Sequence, residues 1–397
     1  MVAAIRFIPF LFTIGIAIMI PTGNRWISPM IGGWIVSCIL FGNWRGYMNN
    51  FKALFPYAFP LAFLYGFYVI GLLWTDDMNA GLKVLEQKMT FAIFPLLFPL
   101  VRLDKKRVDW LMLVFVLTNL IVVGFNMHNW MHEYLTMGRV LKGSQHTPIM
   151  HRSFYSFYLV VSLLFLWLTP NLPWKFNTIW FKSVISFLFG VSIFIASSKM
   201  GAGTLVLAVV SVYWNLRSYL KKNTQRAVLI VVGVLIVSLS PYVIQRYSAM
   251  AKALVTQVNK ANPGSTGARI EAAETAVSLI VESPIIGVGS GDAQTAILER
   301  NKEKGFDILV KYNLNCHNQF LETTVALGFV GLAALLAVFI LPFRKALRNK
   351  NVLVIAILFV LFLNCLAESW LQRQYGTIST AFVFCLMPYL SSIKRKA

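Results

Sequence analysis

The 397-residue chain is 57% hydrophobic and only 13% charged, against roughly 25% charged residues in an ordinary soluble domain. That composition excludes a soluble globular fold. The formal net charge of +21 reads as basic cytoplasmic loops beside anionic lipid; no basic, aromatic-interleaved soluble domain exists to bind nucleic acid, so none is expected as a partner.

A membrane span needs about 20 apolar residues. By that yardstick the sequence predicts an all-α polytopic membrane protein of about twelve transmembrane helices, near 6–21, 27–42, 53–74, 86–101, 109–127, 153–170, 179–197, 200–219, 227–244, 318–342, 351–367 and 375–391. The first run lacks a small-residue cleavage site. Pro21-Thr22-Gly23-Asn24 reads as a turn, so the run is expected to stay as a span and not to be a signal peptide. The chain divides into residues 1–244 with spans one to nine, a long polar loop over 245–317, and 318–397 with the last three spans.

Loop charge tests this layout. With the N-terminus inside, the inside loops hold Arg45, Arg102, Lys105–Arg107, Lys182, Arg217, Arg344, Lys345 and Arg348, among others. The short outside loops hold only Arg25, Arg139, Lys142, Arg152, Lys199 and Arg373. That roughly threefold bias follows the positive-inside rule. It places both termini in the cytoplasm and the long loop in what would be a bacterial periplasm. Within the loop, Asn262-Pro263-Gly264 is a break. A helix is expected over 268–282, with Ile270, Val277, Ile280 and Val281 at near-helical spacing and Ser283-Pro284 ending it. A second short helix is expected over 292–304.

The motif search excludes several chemistries. Gly287, Gly289 and Gly291 could cradle a phosphate through backbone N–H groups, but no Lys-Ser/Thr follows, and a tight turn is the better reading. Asp76 and Asp77 are adjacent and diverge on most backbones. Cys38, Cys316, Cys365 and Cys385 have no metal-ligand spacing and suggest neither a disulfide nor a zinc site. No metal site or cofactor is expected. What remains is cationic and imidazole chemistry at the outer surface: Lys199, Arg269, His317 and Arg373, with His151-Arg152 in reserve. Each has a plainer role available. Lys199 could snorkel, Arg269 could be solvated, Arg373 could pair with Glu368, and His317 could be an interfacial histidine. His128, His132 and His146 look like interface decoration, and Trp130 and Tyr134 like an aromatic belt. The cations share one face with no acidic cluster against them, which suits an anionic head group such as a diphosphate. Glu322, inside the tenth predicted span, is costly there and should be paired; it could orient His317 through Asn318.

Five segments carry a family resemblance. In order they are Ser198-Lys199-Met200-Gly201-Ala202, Gly267-Ala268-Arg269, Ser283-Pro284-Ile285-Ile286-Gly287-Val288-Gly289-Ser290-Gly291, His317-Asn318-Gln319-Phe320-Leu321-Glu322 with Leu327-Gly328-Phe329-Val330-Gly331-Leu332, and Glu368-Ser369-Trp370-Leu371-Gln372-Arg373. Together they resemble the O-antigen ligase and O-antigen polymerase family, inner-membrane glycosyltransferases of bacteria. The resemblance implies a GT-C-like helical fold and transfer of a glycan from an undecaprenyl-diphosphate carrier. The acceptor would be lipid A–core lipopolysaccharide in a ligase, or another carrier-linked repeat in a polymerase. It also implies roles. His317 and Arg269 would be catalytic, Arg269, Lys199 and Arg373 would hold the diphosphate, and Arg152, Glu368 and Glu322 are secondary candidates. Lys199 departs from the family's usual arginine and offers a point charge instead of a planar fork. A transporter, such as a flippase for lipid-linked glycan, is the rival class on composition and span count.

Overall fold

The computed structural model describes residues 6–217 except 24, 140, 142–144, 170, 171, 174 and 175, then residue 222 and residues 264–390. Every regular element among them is helical. The helices are α1 (Ile8–Thr22), α2 (Ile27–Phe41), α3 (Tyr47–Ile70), α4 (Met78–Lys88), α5 (Thr90–Leu97), α6 (Lys105–Met137), α7 (Arg152–Leu168), α8 (Ile179–Ile195), α9 (Lys199–Leu216), α10 (Gly264–Glu282), α11 (Ala293–Glu303), α12 (Asp307–Lys311), α13 (Gln319–Arg348), α14 (Val352–Ala367) and α15 (Gln374–Leu386). Among the described residues, four helical stretches are long and apolar enough to cross a membrane: Trp44–Trp74, Lys105–Met137, Lys199–Leu216 and Gln319–Arg348. Shorter apolar helices at Ile8–Thr22, Ile27–Phe41, Arg152–Leu168, Ile179–Ile195 and Val352–Ala367 pack beside them. The predicted span 227–244 lies outside the described residues.

One continuous apolar core joins the bundle. Trp34 of α2 is fully buried against Phe94 and Phe98, and its Nε1 donates to Thr13 Oγ1 of α1 at 3.0 Å. The α3–α13, α7–α9 and α7–α14 pairs pack along their lengths. Three local expectations change. The stretch with Trp130 and Tyr134 is no loop: α6 runs 33 residues, about 50 Å at 1.5 Å per residue, so its last turns outrun a hydrocarbon layer about 30 Å thick. Trp130 and Tyr134 stack on each other there, 5.8 Å apart. His146 is no interface decoration, because it is buried, with Nε2 3.3 Å from Ser192 Oγ. Helix α4 was not anticipated; Asp77 caps it by accepting from Ala80 N.

The described part of the long loop, 264–317, folds back onto the bundle. Its first helix, α10, contains the expected 268–282 but turns a different face inward. Ala268, Ala272, Ala276 and Leu279 are buried, while Val277 and Val281 are exposed. Ala276, Leu279 and Ile280 pack on the bundle core, Ala268 and Ala272 pack on Phe306 and Leu309 of the same loop, and Val277 and Val281 are left outside. The glycine turn after it docks against a break in α13. Gly328 has φ 63°, ψ −164° inside that helix, a backbone region that only glycine occupies readily. The break frees backbone groups, which pair with the turn: Val288 N to Val325 O at 2.9 Å, Gly289 N to Ala326 O at 3.0 Å and Phe329 N to Pro284 O at 2.8 Å. A Cβ on Gly328 would lie 2.1 Å from Ile285 O, and one on Gly287 2.5 Å from the Ala326 carbonyl carbon. These glycines therefore serve backbone-to-backbone contact, not a phosphate cradle.

Candidate functional site

Helices α7, α9, α13 and α15 all begin on one face of the bundle, where α14 ends. A helix N-terminus carries roughly half a positive charge, so this face favours anions before any side chain is counted. Asn318 sets the local geometry. Its Oδ1 caps α13 by accepting from Phe320 N and Leu321 N, and its Nδ2 donates to Leu366 O at the end of α14. The residue before the cap, His317, is thereby set beside the residue after α14, Glu368.

Glu368 is the hub. One carboxylate oxygen accepts from Arg269 Nη2 at 2.9 Å and the other lies 3.3 Å from His317 Nδ1. Ser153 Oγ, in the first turn of α7, donates to the first oxygen at 3.4 Å. The side chain of Glu368 is only 16% exposed. Burial alone would raise its carboxyl, but the His317 hydrogen bond and the Arg269 charge overcome that and hold it below the ordinary carboxylate value. His317 adopts φ 48°, a left-handed conformation uncommon outside glycine that, where it persists, clusters at functional positions. Its backbone N–H donates to Asn315 Oδ1. Among the described residues its Nε2 has no hydrogen-bond partner, so that nitrogen is open to a ligand.

The other expected residues rim this cluster. His151 caps α7, accepting from Ser153 N at 3.4 Å. Protein atoms crowding its ring hold it below the ordinary imidazole value; Glu368 opposes this, and the charges of Arg152 and Arg373 reinforce it. Arg152 is the first residue of α7. Lys199 is the first residue of α9, whose Gly201 packs on Ser156, one turn beyond Ser153. Arg373 is exposed at the start of α15.

Two readings need correcting. The cations do not stand without an acid, because Glu368 enters between Arg269 and His317. Arg269, arriving on α10, and not the nearby Arg373, is what the carboxylate binds. Glu322 does not reach His317 through Asn318 either. Its Oε2 accepts from Cys316 N at 3.0 Å and Ser369 Oγ at 3.1 Å. It therefore ties the backbone of the residue before His317 to the side chain of the residue after Glu368.

Behind the cluster lies a network with little sequence signal. Residues 369–372 form a strap packed by Trp370, which is fully buried with its ring 4.2 Å from that of Phe154. Gln319 accepts from Leu371 N at 2.6 Å, and Gln87 donates to Gln372 O at 2.8 Å. Lys88, the last residue of α4 and fully buried, donates to Leu371 O at 2.6 Å and Gln372 Oε1 at 3.0 Å. Ser153, Gln319 and Lys88 were not among the expected residues. Ser153 had a clue, standing next to His151-Arg152, and Gln319 stood in the His317-Asn318-Gln319 segment, but Lys88 had none. Among the described residues no three His, Cys, Asp or Glu side chains group as metal ligands.

Residues 184–336 match the family model described as O-antigen ligase. The chain carries an O-antigen ligase domain. That domain starts within α8, ends within α13, and contains Lys199, Arg269 and His317. Ser153, Glu368 and Arg373 come from outside it, so the cluster joins the O-antigen ligase domain to its flanking helices. The chain is also 34% identical over 111 residues to an uncharacterized protein of Haemophilus influenzae. That match spans 27% of each chain.

Proposed function

We propose that this protein is an O-antigen ligase-like glycosyltransferase of the bacterial inner membrane, moving a glycan from undecaprenyl diphosphate to lipid A–core lipopolysaccharide on the periplasmic face. The observation that carries the reading is the Arg269–Glu368–His317 cluster, two of whose members lie in the O-antigen ligase domain. The orientation, with both termini cytoplasmic and the long loop outside, is supported by the charge bias of the loops.

In this reading Glu368 takes the Nδ1 proton of His317 as its hydrogen-bond partner and leaves Nε2 as the acceptor. A carboxylate serves the same purpose for the histidine of a hydrolase triad. Nε2 removes the proton from the acceptor hydroxyl as its oxygen attacks the anomeric carbon. The carbon–oxygen bond to the diphosphate breaks, and the carrier leaves with the bonding electrons. One displacement inverts the anomeric centre. Arg269 has five N–H donors and spends Nη2 on Glu368, so it can hold the carboxylate and a phosphate together. Lys199 and Arg373 add charge where the leaving group becomes more negative. The diphosphate is already a good leaving group, so the mechanism calls for no metal.

Purified protein with a carrier-linked glycan and rough lipopolysaccharide tests this. Glycan joined to lipopolysaccharide, at a rate unchanged by chelator, is the expected product. Longer carrier-linked chains instead would make it a polymerase, and a chelator-sensitive rate would overturn the metal-free mechanism. Movement of carrier-linked glycan across liposomes without acceptor, and no transfer, would make it a transporter.

A further inference from the structure

We propose that the groove between α3 and α13, at the end of the bundle away from His317, binds an anionic phospholipid. The groove has a volume of about 330 Å3. Phe55, Phe59 and Phe63 line it from α3, four residues apart and so on one helix face. Phe55 and Phe59 stack at 5.0 Å. Leu341, Arg344, Lys345 and Arg348 line it from α13, again on one face.

The two walls are graded in the same direction. The helices run antiparallel, so Phe63 lies about 12 Å deeper than Phe55, and Leu341 about 10 Å deeper than Arg348, at 1.5 Å per residue. The cations therefore form the rim and the apolar side chains the depth. Phe55, Phe63 and Leu341 are 47%, 63% and 46% exposed, so among the described residues nothing fully covers them. Among the described residues no carboxylate forms an ion pair with Arg344, Lys345 or Arg348. Charge complementarity chooses the occupant. A free phosphate would satisfy only the rim and a neutral lipid only the depth. An acyl chain bearing a phosphate satisfies both, and basic pockets between membrane helices recognise such head groups. Arg344 lies near the far end of α13 from His317, 16 residues beyond the break at Gly328, about 24 Å of helix past that break, so this site is separate from the Glu368 cluster.

The test titrates detergent-purified protein with dioleoylphosphatidylglycerol or dioleoylphosphatidylcholine and measures retained lipid by native mass spectrometry. The anionic lipid should be held at least about tenfold more tightly, since each basic residue near the surface contributes about 1 kcal/mol. R344Q/K345Q/R348Q should lose that preference while melting at the wild-type temperature. L341W, which fills the depth and keeps the charges, should weaken retention as well. Equal retention of the two lipids would overturn the proposal, as would a folded triple variant that keeps the preference. If the triple variant does not fold, R348Q and L341W decide: wild-type retention in both overturns it. Displacement of the lipid by millimolar inorganic phosphate would show a plain anion site and overturn the lipid assignment.

Discussion

Glu368 holds Arg269 with one oxygen and His317 with the other, so its charge sets both the position of the guanidinium and the tautomer of the imidazole. Glu368→Gln keeps the shape and removes the charge. In the proposed mechanism transfer should fall by about 10²–10⁴-fold, the range for losing an oriented general base, while donor binding persists through Arg269. The pairing also predicts a pH dependence of stability. The folded carboxyl sits below its ordinary value of 4.5, so between the two values the unfolded chain binds more protons than the folded one. The stabilisation is fully present above that ordinary value and is lost as pH falls through the lower, folded one. Melting curves of wild type and Glu368→Gln should therefore differ at neutral pH and converge on acidification through the carboxylate range. Curves that stay separated at the acid end would deny the pairing.

The elements that deliver these residues are held by two devices, the break in α13 and the strap over Lys88. Gly328→Ala forces a side chain into a glycine-only conformation and against Ile285 O. It should cost at least about 1–3 kcal/mol and lower the melting temperature without touching the cluster. Lys88→Met leaves Leu371 O without its buried donor, at about 1–3 kcal/mol. Because the strap follows Glu368, kcat should fall more than the donor KM rises. An unchanged kcat would separate the strap from the cluster. Much of this level was open to the sequence: apolar runs marked most helices, and Ser283-Pro284 marked the end of α10. The inward face of α10 was not, because Ala276, Leu279 and Ile280 meet the bundle core and Val277 and Val281 are left outside. The glycine turn was legible as a turn, but its partner, the break at Gly328, is set by backbone pairing across nearly forty residues. The Arg269–Glu368 pair, 99 residues apart in the chain, left no local trace, and neither did the burial of Lys88.

Across the whole molecule, the cluster and the basic groove occupy opposite ends of α13, and the proposed orientation, drawn from the bias of basic loops, has the cluster outside. The four cysteines are buried, so they react little with an impermeant maleimide and can be changed to serine. Single cysteines at the exposed Lys311 and Lys350 should then label oppositely. Position 311 should react in intact spheroplasts, and position 350 only after lysis. The reverse pattern would put the cluster in the cytosol, away from any periplasmic acceptor. The most direct measurement is single-turnover transfer from carrier-linked glycan to rough lipopolysaccharide by purified wild type, His317→Ala and Arg269→Ala, each shown to be folded by its melting curve. The account predicts that His317→Ala loses about 10²–10⁴-fold and Arg269→Ala about 10²–10³-fold, as for removal of a charge-stabilising donor. Transfer at the wild-type rate by either folded variant would contradict it.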